Sequence, residues 1–456
     1  MTRPWEPRRA AANLARMTRR LAATTAAAAL AFALPAATPV HASAAPAVVP
    51  AVAPAVAPAA PAPAAALRAD VPCPRVKANP LPSRPPKPRP PAADPVLRQV
   101  GGAGLDTDGL VVPEGAPAPP KLTAASWLVA DLDTGAVLGG CGPHVRGTPA
   151  SVQKLLLAAT VMPRLDPDRK VTVTREDLAF EPGSSAVGLL EGGRYTVQTL
   201  WLGLLLQSGN DAANVLARLG GGDGGLPATI DAMNAEARRL GAFQTHAVTP
   251  SGLDGPGQFT SAYDLALIAR ACFAVDGFQD YALTRNTQIP AQPQKKKGGF
   301  QIQNENKLVF NYPGALGGKT GFTQLARHTY VGAAERDGRR LVATVLGAEA
   351  RPLRGWEQGA ALLDWGFSLP ADARVGELVP PGTNDEPATG ATASEPPAGS
   401  TPLRAPAAAS SATSFTLHPA AMAAVAAALA AAPLSLLLLN RRRRYGRRPR
   451  FRRAVR

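Results

Sequence analysis

Between residues 103 and 369 short apolar runs alternate with polar punctuation, and outside those limits the pattern disappears. Ser126 to Asp131, a turn at Asp133 to Gly135, and Ala136 to Leu138 read as a β-hairpin. Lys154 to Met162 has helical spacing and is entered through Pro149-Ala150. Val197 to Gln207 is apolar on most faces, as expected for a helix central to a larger domain. It stops at Ser208-Gly209-Asn210, where a further helix begins at Asp211. Leu265 to Phe273 is again helical. Farther on, His328 to Ala334 and Arg340 to Gly347 read as strands joined by an Asp337-Gly338 turn. No internal repeat interrupts this region. Its length suits one α/β or α+β domain with a single sizeable core.

The flanks differ in composition. Residues 45–102 and 370–416 are rich in Pro and Ala and poor in large apolar residues, so both read as extended spacers unable to offset their ordering entropy. Leu417 to Leu439 holds no Asp, Glu, Lys or Arg and matches the ~20 residues needed to cross a bilayer. Pro419 and Pro433 fall near its ends. The arginines that follow, in an expected tail over 440–456, place that side in the cytoplasm. At the other end, Arg16 to Arg20, an apolar stretch from Leu21 to Leu34, and Ala42-Ser43-Ala44 resemble a signal peptide over 1–44, with Met1 or Met17 as the start. The expected placement is a single-pass membrane protein with residues 103–369 on the outer side.

The net charge of +16 would suit a nucleic-acid partner were it concentrated on the domain. Between Lys121 and Leu369, however, 24 Lys and Arg face 22 Asp and Glu, and the excess lies in the tails. Nucleic acid is therefore not an expected partner. The spacing of Cys73, Cys141 and Cys272 fits no zinc pattern. Cys272 lies on a helical stretch as a small core residue, and Cys73 with Cys141 is a candidate disulfide. His246 and His328 are isolated, so neither a metal nor a cofactor is expected. Gly220 to Gly225 lacks the Lys-Ser/Thr of a phosphate loop and reads as a flexible connection. Lys295-Lys296-Lys297 reads as a solvated hairpin tip.

Three short segments carry candidate chemistry. In Ser151-Val152-Gln153-Lys154 the serine falls in a first helical turn, where unpaired N–H groups favour an oxyanion, and Lys154 returns to the same face one turn on. A lysine held in an apolar site loses basicity and can take the serine proton. An N-cap serine with a solvated lysine explains the same four residues. Ser208-Gly209-Asn210 offers a hydroxyl and an amide at a helix junction, or merely a C-cap followed by an N-cap. Lys319-Thr320-Gly321, followed by Phe322, offers a cation and a hydroxyl on a strand edge, with Gly321 leaving room for a substrate backbone. A loop lysine before a strand is the alternative.

Taken in order, S-x-x-K, S-x-N and K-T-G resemble the signature of penicillin-recognising serine enzymes. With Thr249 to Asp254, Thr260 to Ala266 and Asp364 to Phe367, the resemblance is to low-molecular-mass penicillin-binding proteins of the D-alanyl-D-alanine carboxypeptidase family S11, over roughly Ala124 to Phe367. Ala326 to Ala333 and the Ala/Pro/Arg bias resemble actinobacterial members. The resemblance implies an α+β DD-peptidase/β-lactamase-like fold: a five-stranded antiparallel sheet flanked by helices, plus an all-helical lobe. It implies Ser151 as nucleophile, Lys154 as general base and Ser208 as proton relay. Asn210, Lys319, Thr320, Gly321 and Phe322 would bind substrate, the amides of Ser151 and Phe322 would hold the oxyanion, and Arg354 is a candidate for the substrate carboxylate. Peptidoglycan stem peptides and β-lactams are the implied ligands. The alternatives are a non-catalytic peptidoglycan-binding or β-lactam-sensing protein and a β-lactamase-like hydrolase. Class A β-lactamases carry Ser-Asp-Asn where this chain has Ser-Gly-Asn.

Overall fold

A computed structural model describes residues 70–77, 90 and 94–383. The signal-peptide and membrane-helix segments expected at 1–44 and 417–439, and the arginine tail, lie outside the described residues. Among the described residues no helix is long and apolar enough to cross a membrane.

In chain order the strands are β1 (Leu110–Val111), β2 (Ser126–Asp131), β3 (Ala136–Cys141), β4 (Lys170–Thr172), β5 (Arg194–Thr196), β6 (Asn286–Ile289), β7 (Phe300–Gln303), β8 (Ala315–Thr323), β9 (Arg327–Arg336), β10 (Arg339–Ala348) and β11 (Gly376–Glu377). The helices are α1 (Lys154–Val161), α2 (Val197–Gln207), α3 (Asn210–Gly220), α4 (Gly225–Arg239), α5 (Ala262–Phe273), α6 (Phe278–Leu283), α7 (Leu308–Asn311) and α8 (Gly355–Ser368). The main sheet is antiparallel in the order β1-β3-β2-β10-β9-β8, with β11 also paired to β3. The expected five long strands are present, and the sheet is wider than expected by two short ones. β1 pairs with the end of β3 and β11 with its start, so together they cover one free edge. Two-residue strands carry no alternation, which is why their sequence gave no sign of them.

Side-chain alternation sorts the sheet into two faces. Leu128, Ala130, Val331 and Val342 turn towards the helical side and join a core with α1, α2, α3 and α5. Trp127, Val129, Tyr330, Leu341, Ala343 and Val345 turn the other way and pack with Leu362, Leu363 and Trp365 of α8. Trp127 and Trp365 meet edge to face, 5.8 Å between centroids. α2 is buried nearly throughout, and its first turn is fixed by Thr196, whose hydroxyl accepts from Thr199 N. On the helical side Arg218 forks onto both oxygens of buried Asp177. Gly220 to Gly225 is tighter than a flexible connection: Gly222–Gly224 forms a 3-10 turn between α3 and α4.

Parts of both stretches expected as spacers pack on the domain. Leu110 N donates to Val71 O, the Arg75 guanidinium to Ala125 O, and Cys73 is disulfide-bonded to Cys141 on β3. Residues 94–102 also pack on the domain, with Glu377 N donating to Gly101 O. Beyond Leu369, buried Leu378 donates its N–H to Gly135 O. These anchors are single residues inside Pro-rich stretches, and average composition does not register them.

The Cys73–Cys141 crosslink spans 68 residues. Loop entropy alone places its contribution at about 4 kcal/mol. Cys73→Ser should lower the urea unfolding free energy by 2–4 kcal/mol on this estimate and expose residues 70–77 to protease. An unchanged denaturation midpoint would show that the noncovalent anchors hold the segment by themselves.

Candidate active site

Ser151 sits in a 3-10 turn (Ala150–Gln153) that runs directly into α1. Ala150 has φ 50°, and a Cβ on Gly252 would lie 1.9 Å from Ala150 O, so glycine there lets the two turns meet. From the sheet, the Thr329 hydroxyl donates to Pro149 O (2.8 Å) and ties the serine turn to β9.

Lys154 opens α1 and is wholly buried. As an ammonium it donates three hydrogen bonds: to Ser151 Oγ (2.9 Å), Asn210 Oδ1 (2.8 Å) and Ser251 O (2.8 Å). Burial, then the neighbouring Lys319 charge, lowers its pKa well below that of an ordinary lysine, against the pull of Asp211 and Glu305. When one proton leaves, the two remaining N–H groups are taken by carbonyl oxygens that cannot donate back. The lone pair is then directed at the Ser151 hydroxyl.

Ser208 and Asn210 arrive from the α2–α3 junction. Ser208 is in the left-handed region (φ 59°), which ends α2 and turns its side chain into the cleft. Its Oγ is buried and has no hydrogen-bond partner. Asn210 is fixed at both ends of its amide, with Oδ1 accepting from Lys154 and Nδ2 donating to Ser184 Oγ (3.0 Å). Next to it, the buried Asp211 carboxylate accepts the N–H groups of Val187, Gly188 and Leu189 and so holds the loop that carries Ser184.

The third side of the cleft is β8. Lys319 is 1 % exposed, donates to Thr320 O (2.8 Å), and is lowered by burial to about 8. Gly321 faces the serine turn so closely that a Cβ would stand 2.8 Å from Ser151 N and 2.3 Å from Thr329 Oγ1. Its missing side chain is a steric requirement of the site. Phe322 is 46 % exposed, with its ring 4.8 Å from that of His328. Asp254 fastens the far end of the strand by accepting from Thr323 Oγ1 (2.7 Å).

All three motifs therefore converge on one cleft of ≈ 390 Å³, lined by Ser151, Ser208, Asn210, Thr320, Gly321 and Phe322 among others. An adjoining recess of ≈ 290 Å³ shares Thr320, Gly321, His328 and Glu305 with it and adds Lys307, Arg354 and Trp356. Arg354, at the N-cap of α8, is thus brought to the outer end of the cleft. Motif reading missed Ser184, the Ser251 carbonyl, Glu305 and the position of His328. The Thr249 to Asp254 segment was visible as part of the resemblance, but a backbone carbonyl carries no sequence signal. Nothing in the spacing of His328 distinguished it from a core histidine. Among the described residues no group of three or more His, Cys, Asp or Glu could hold a metal ion.

A family model described as D-alanyl-D-alanine carboxypeptidase matches residues 114–350. The chain is 44 % identical over 276 residues to the D-alanyl-D-alanine carboxypeptidase DacB2 of Mycobacterium tuberculosis, covering 59 % of this chain and 91 % of that protein. It is 36 % identical to DacD of Salmonella typhimurium, covering 55 % of this chain and 64 % of that one. Among solved structures, a D-alanyl-D-alanine carboxypeptidase of Mycobacterium tuberculosis superposes with a TM-score of 0.55 at 43 % identity, over 59 % of this chain and 100 % of the other. The Streptomyces K15 DD-transpeptidase superposes with a TM-score of 0.53 at 27 % identity, over 56 % and 100 %. With the fold, the three converging motifs and these matches in agreement, the chain belongs to the D-alanyl-D-alanine carboxypeptidase family of serine peptidases, S11.

Proposed function

We infer that the protein removes the terminal D-alanine from peptidoglycan pentapeptide stems through an acyl-enzyme on Ser151, and that β-lactams acylate the same serine. The carrying observation is the buried Lys154 amine 2.9 Å from Ser151 Oγ, depressed in pKa and fixed by two carbonyl acceptors. Neutral Lys154 takes the Ser151 proton as Oγ attacks the penultimate D-alanine carbonyl. The amides of Ser151 and Phe322 receive the oxyanion, a contribution of a few kcal/mol to barrier lowering. Ser208, whose hydroxyl has no hydrogen-bond partner among the described residues, passes the proton to the departing nitrogen. Thr320 and Arg354 bind the terminal carboxylate at the outer end of the cleft, with protonated Lys319 supplying positive potential. Water then attacks the ester, and Lys154 again accepts a proton.

The membrane span at 417–439 and the signal peptide at 1–44 belong to this proposal. The uncharged run of Leu417 to Leu439 and the arginines beyond it support one C-terminal anchor, with the catalytic domain on the wall side. A chain ending at residue 383 should leave the membrane fraction and still release D-alanine. Persistence of that shortened chain in washed membranes would remove the anchor from the account.

Acylation is tested by intact mass after benzylpenicillin. One adduct is expected on the parent and none on Ser151→Ala, while Lys154→Met should slow acylation by about 10²–10⁴-fold. An adduct on Ser151→Ala would exclude Ser151 as the nucleophile. Fast drug turnover without an adduct would indicate a β-lactamase-like hydrolase.

The two lysines also set a pH profile. Lys154 must be neutral, so the rate rises with pH through a limb lying below the ordinary lysine range. Lys319 must stay protonated, so the rate falls again above about 8. In Lys319→Gln the alkaline fall should disappear from kcat/KM. A profile that keeps it would assign that limb to another group.

A further inference from the structure

Glu305 lines both the cleft and the adjoining recess, and no step of the acylation above uses it. Its backbone is immobilised at that wall. Glu305 N donates to Leu206 O, two residues before Ser208, and the flanking asparagines are buried and bonded. Asn304 Nδ2 donates to Ala282 O and Thr284 O, and Asn306 Oδ1 accepts from the Tyr330 hydroxyl. Three lysines act electrostatically on this one carboxylate, Lys154 and Lys319 from the interior and Lys307 two residues on, and Arg354 lines the same recess. Among the described residues no hydrogen bond or ion pair to the carboxylate is formed. Burial raises the Glu305 pKa, and the three lysines act against that rise.

On the carboxypeptidase reading, the leaving group changes charge in the cleft whose wall Glu305 lines. When the C–N bond breaks and the Ser151 Oγ–C bond forms, the serine proton ends on the departing nitrogen. A second proton from water then makes D-alanine a zwitterion. A cleft end containing only Thr320, Lys307, Arg354 and the lysines of the site would attract its carboxylate and repel its ammonium. We propose that Glu305 binds the α-ammonium of the released amino acid, so that the outer end of the cleft is a zwitterion site for free D-amino acids. This inference rests on the carboxypeptidase reading. The Trp356 indole N–H, buried without a hydrogen-bond partner among the described residues, belongs to a residue lining the same recess and adds a donor on the carboxylate side.

The site makes the enzyme sensitive to its own product through the amine. The test uses the full chain and measures the rate at which benzylpenicillin forms its adduct in the presence of D-alanine or of D-lactate, which replaces the ammonium with a hydroxyl. On the parent, D-alanine should slow acylation at about tenfold lower concentration than D-lactate, the discrimination expected of one charge-assisted hydrogen bond. In Glu305→Gln the two should come within about twofold of each other, while Glu305→Asp, which keeps the charge, should retain a preference for D-alanine. The readout is a ratio between two ligands on one protein, so a general loss of reactivity in a variant does not mimic the result. Equal inhibition of the parent by both compounds overturns the proposal, and so does a tenfold preference that survives in Glu305→Gln. If Glu305→Gln fails to fold, the parent and Glu305→Asp still decide. Absence of any adduct on the parent would instead overturn the acyl-enzyme reading.

Discussion

A lysine amine removed from water and given three acceptors is the constraint around which the site is assembled. A buried ammonium without partners is costly, and a buried amine whose partners are misplaced is chemically idle. The three acceptors come from three parts of the chain: Ser151 one turn before, Asn210 at the start of α3, and the Ser251 carbonyl in the loop ahead of α5. Each acceptor is secured in turn. Thr329 holds the serine turn, Ser184 holds the asparagine amide, and glycine at position 252 permits the approach to Ala150. The helical lobe and the sheet therefore meet at Lys154, and a change in how they pack would disturb the hydrogen bonds of its amine.

The same logic extends to charge. Lys154 and Lys319 are both buried, burial lowers the pKa of each, and the Lys319 charge further disfavours protonation of Lys154. One neutral and one charged lysine avoids the repulsion between two buried ammonium groups. It is also the arrangement that the proposed mechanism requires, because its base must be neutral while its substrate carboxylate needs a cation. Lys154, lowered well below the ordinary lysine range, is the one that donates to Ser151 Oγ. Asp211 and Glu305 temper this imbalance differently. Asp211 is committed to three backbone N–H groups of one loop, while Glu305 remains at the wall of the cleft.

Elements whose residues repeat with a strong period were legible in the sequence. The β2–β3 hairpin, α2, and the β9–β10 pair fell where alternation and turn chemistry placed them, within three residues at each end. So did the convergence of the three motifs, because S-x-x-K, S-x-N and K-T-G each combine residue types with a spacing that serves one reaction. The misses share a different cause. β1 and β11 are two residues long, and the anchors of the flanking segments are single residues in Pro-rich surroundings. The Ser251 oxygen belongs to the backbone, which is the same at every position. His328 and Glu305 reach the cleft through the register of β9 against β8 and the path that follows β7, which are tertiary facts.

Gly321 shows how far residue identity can be traced to contact. On composition alone it is one of 43 glycines. In the fold, its missing Cβ is what allows β8 to lie against the Ser151 amide, with Thr329 from the neighbouring strand closing the same space. That strand edge and that amide must both reach the substrate carbonyl, so the separation between them is set by the thickness of a peptide backbone. An alanine at 321 would move the edge, the serine turn, or both. The motif's third letter is thus a statement about distance, whereas its first two are statements about charge and hydrogen bonding. Position and chemistry are encoded side by side in three consecutive residues.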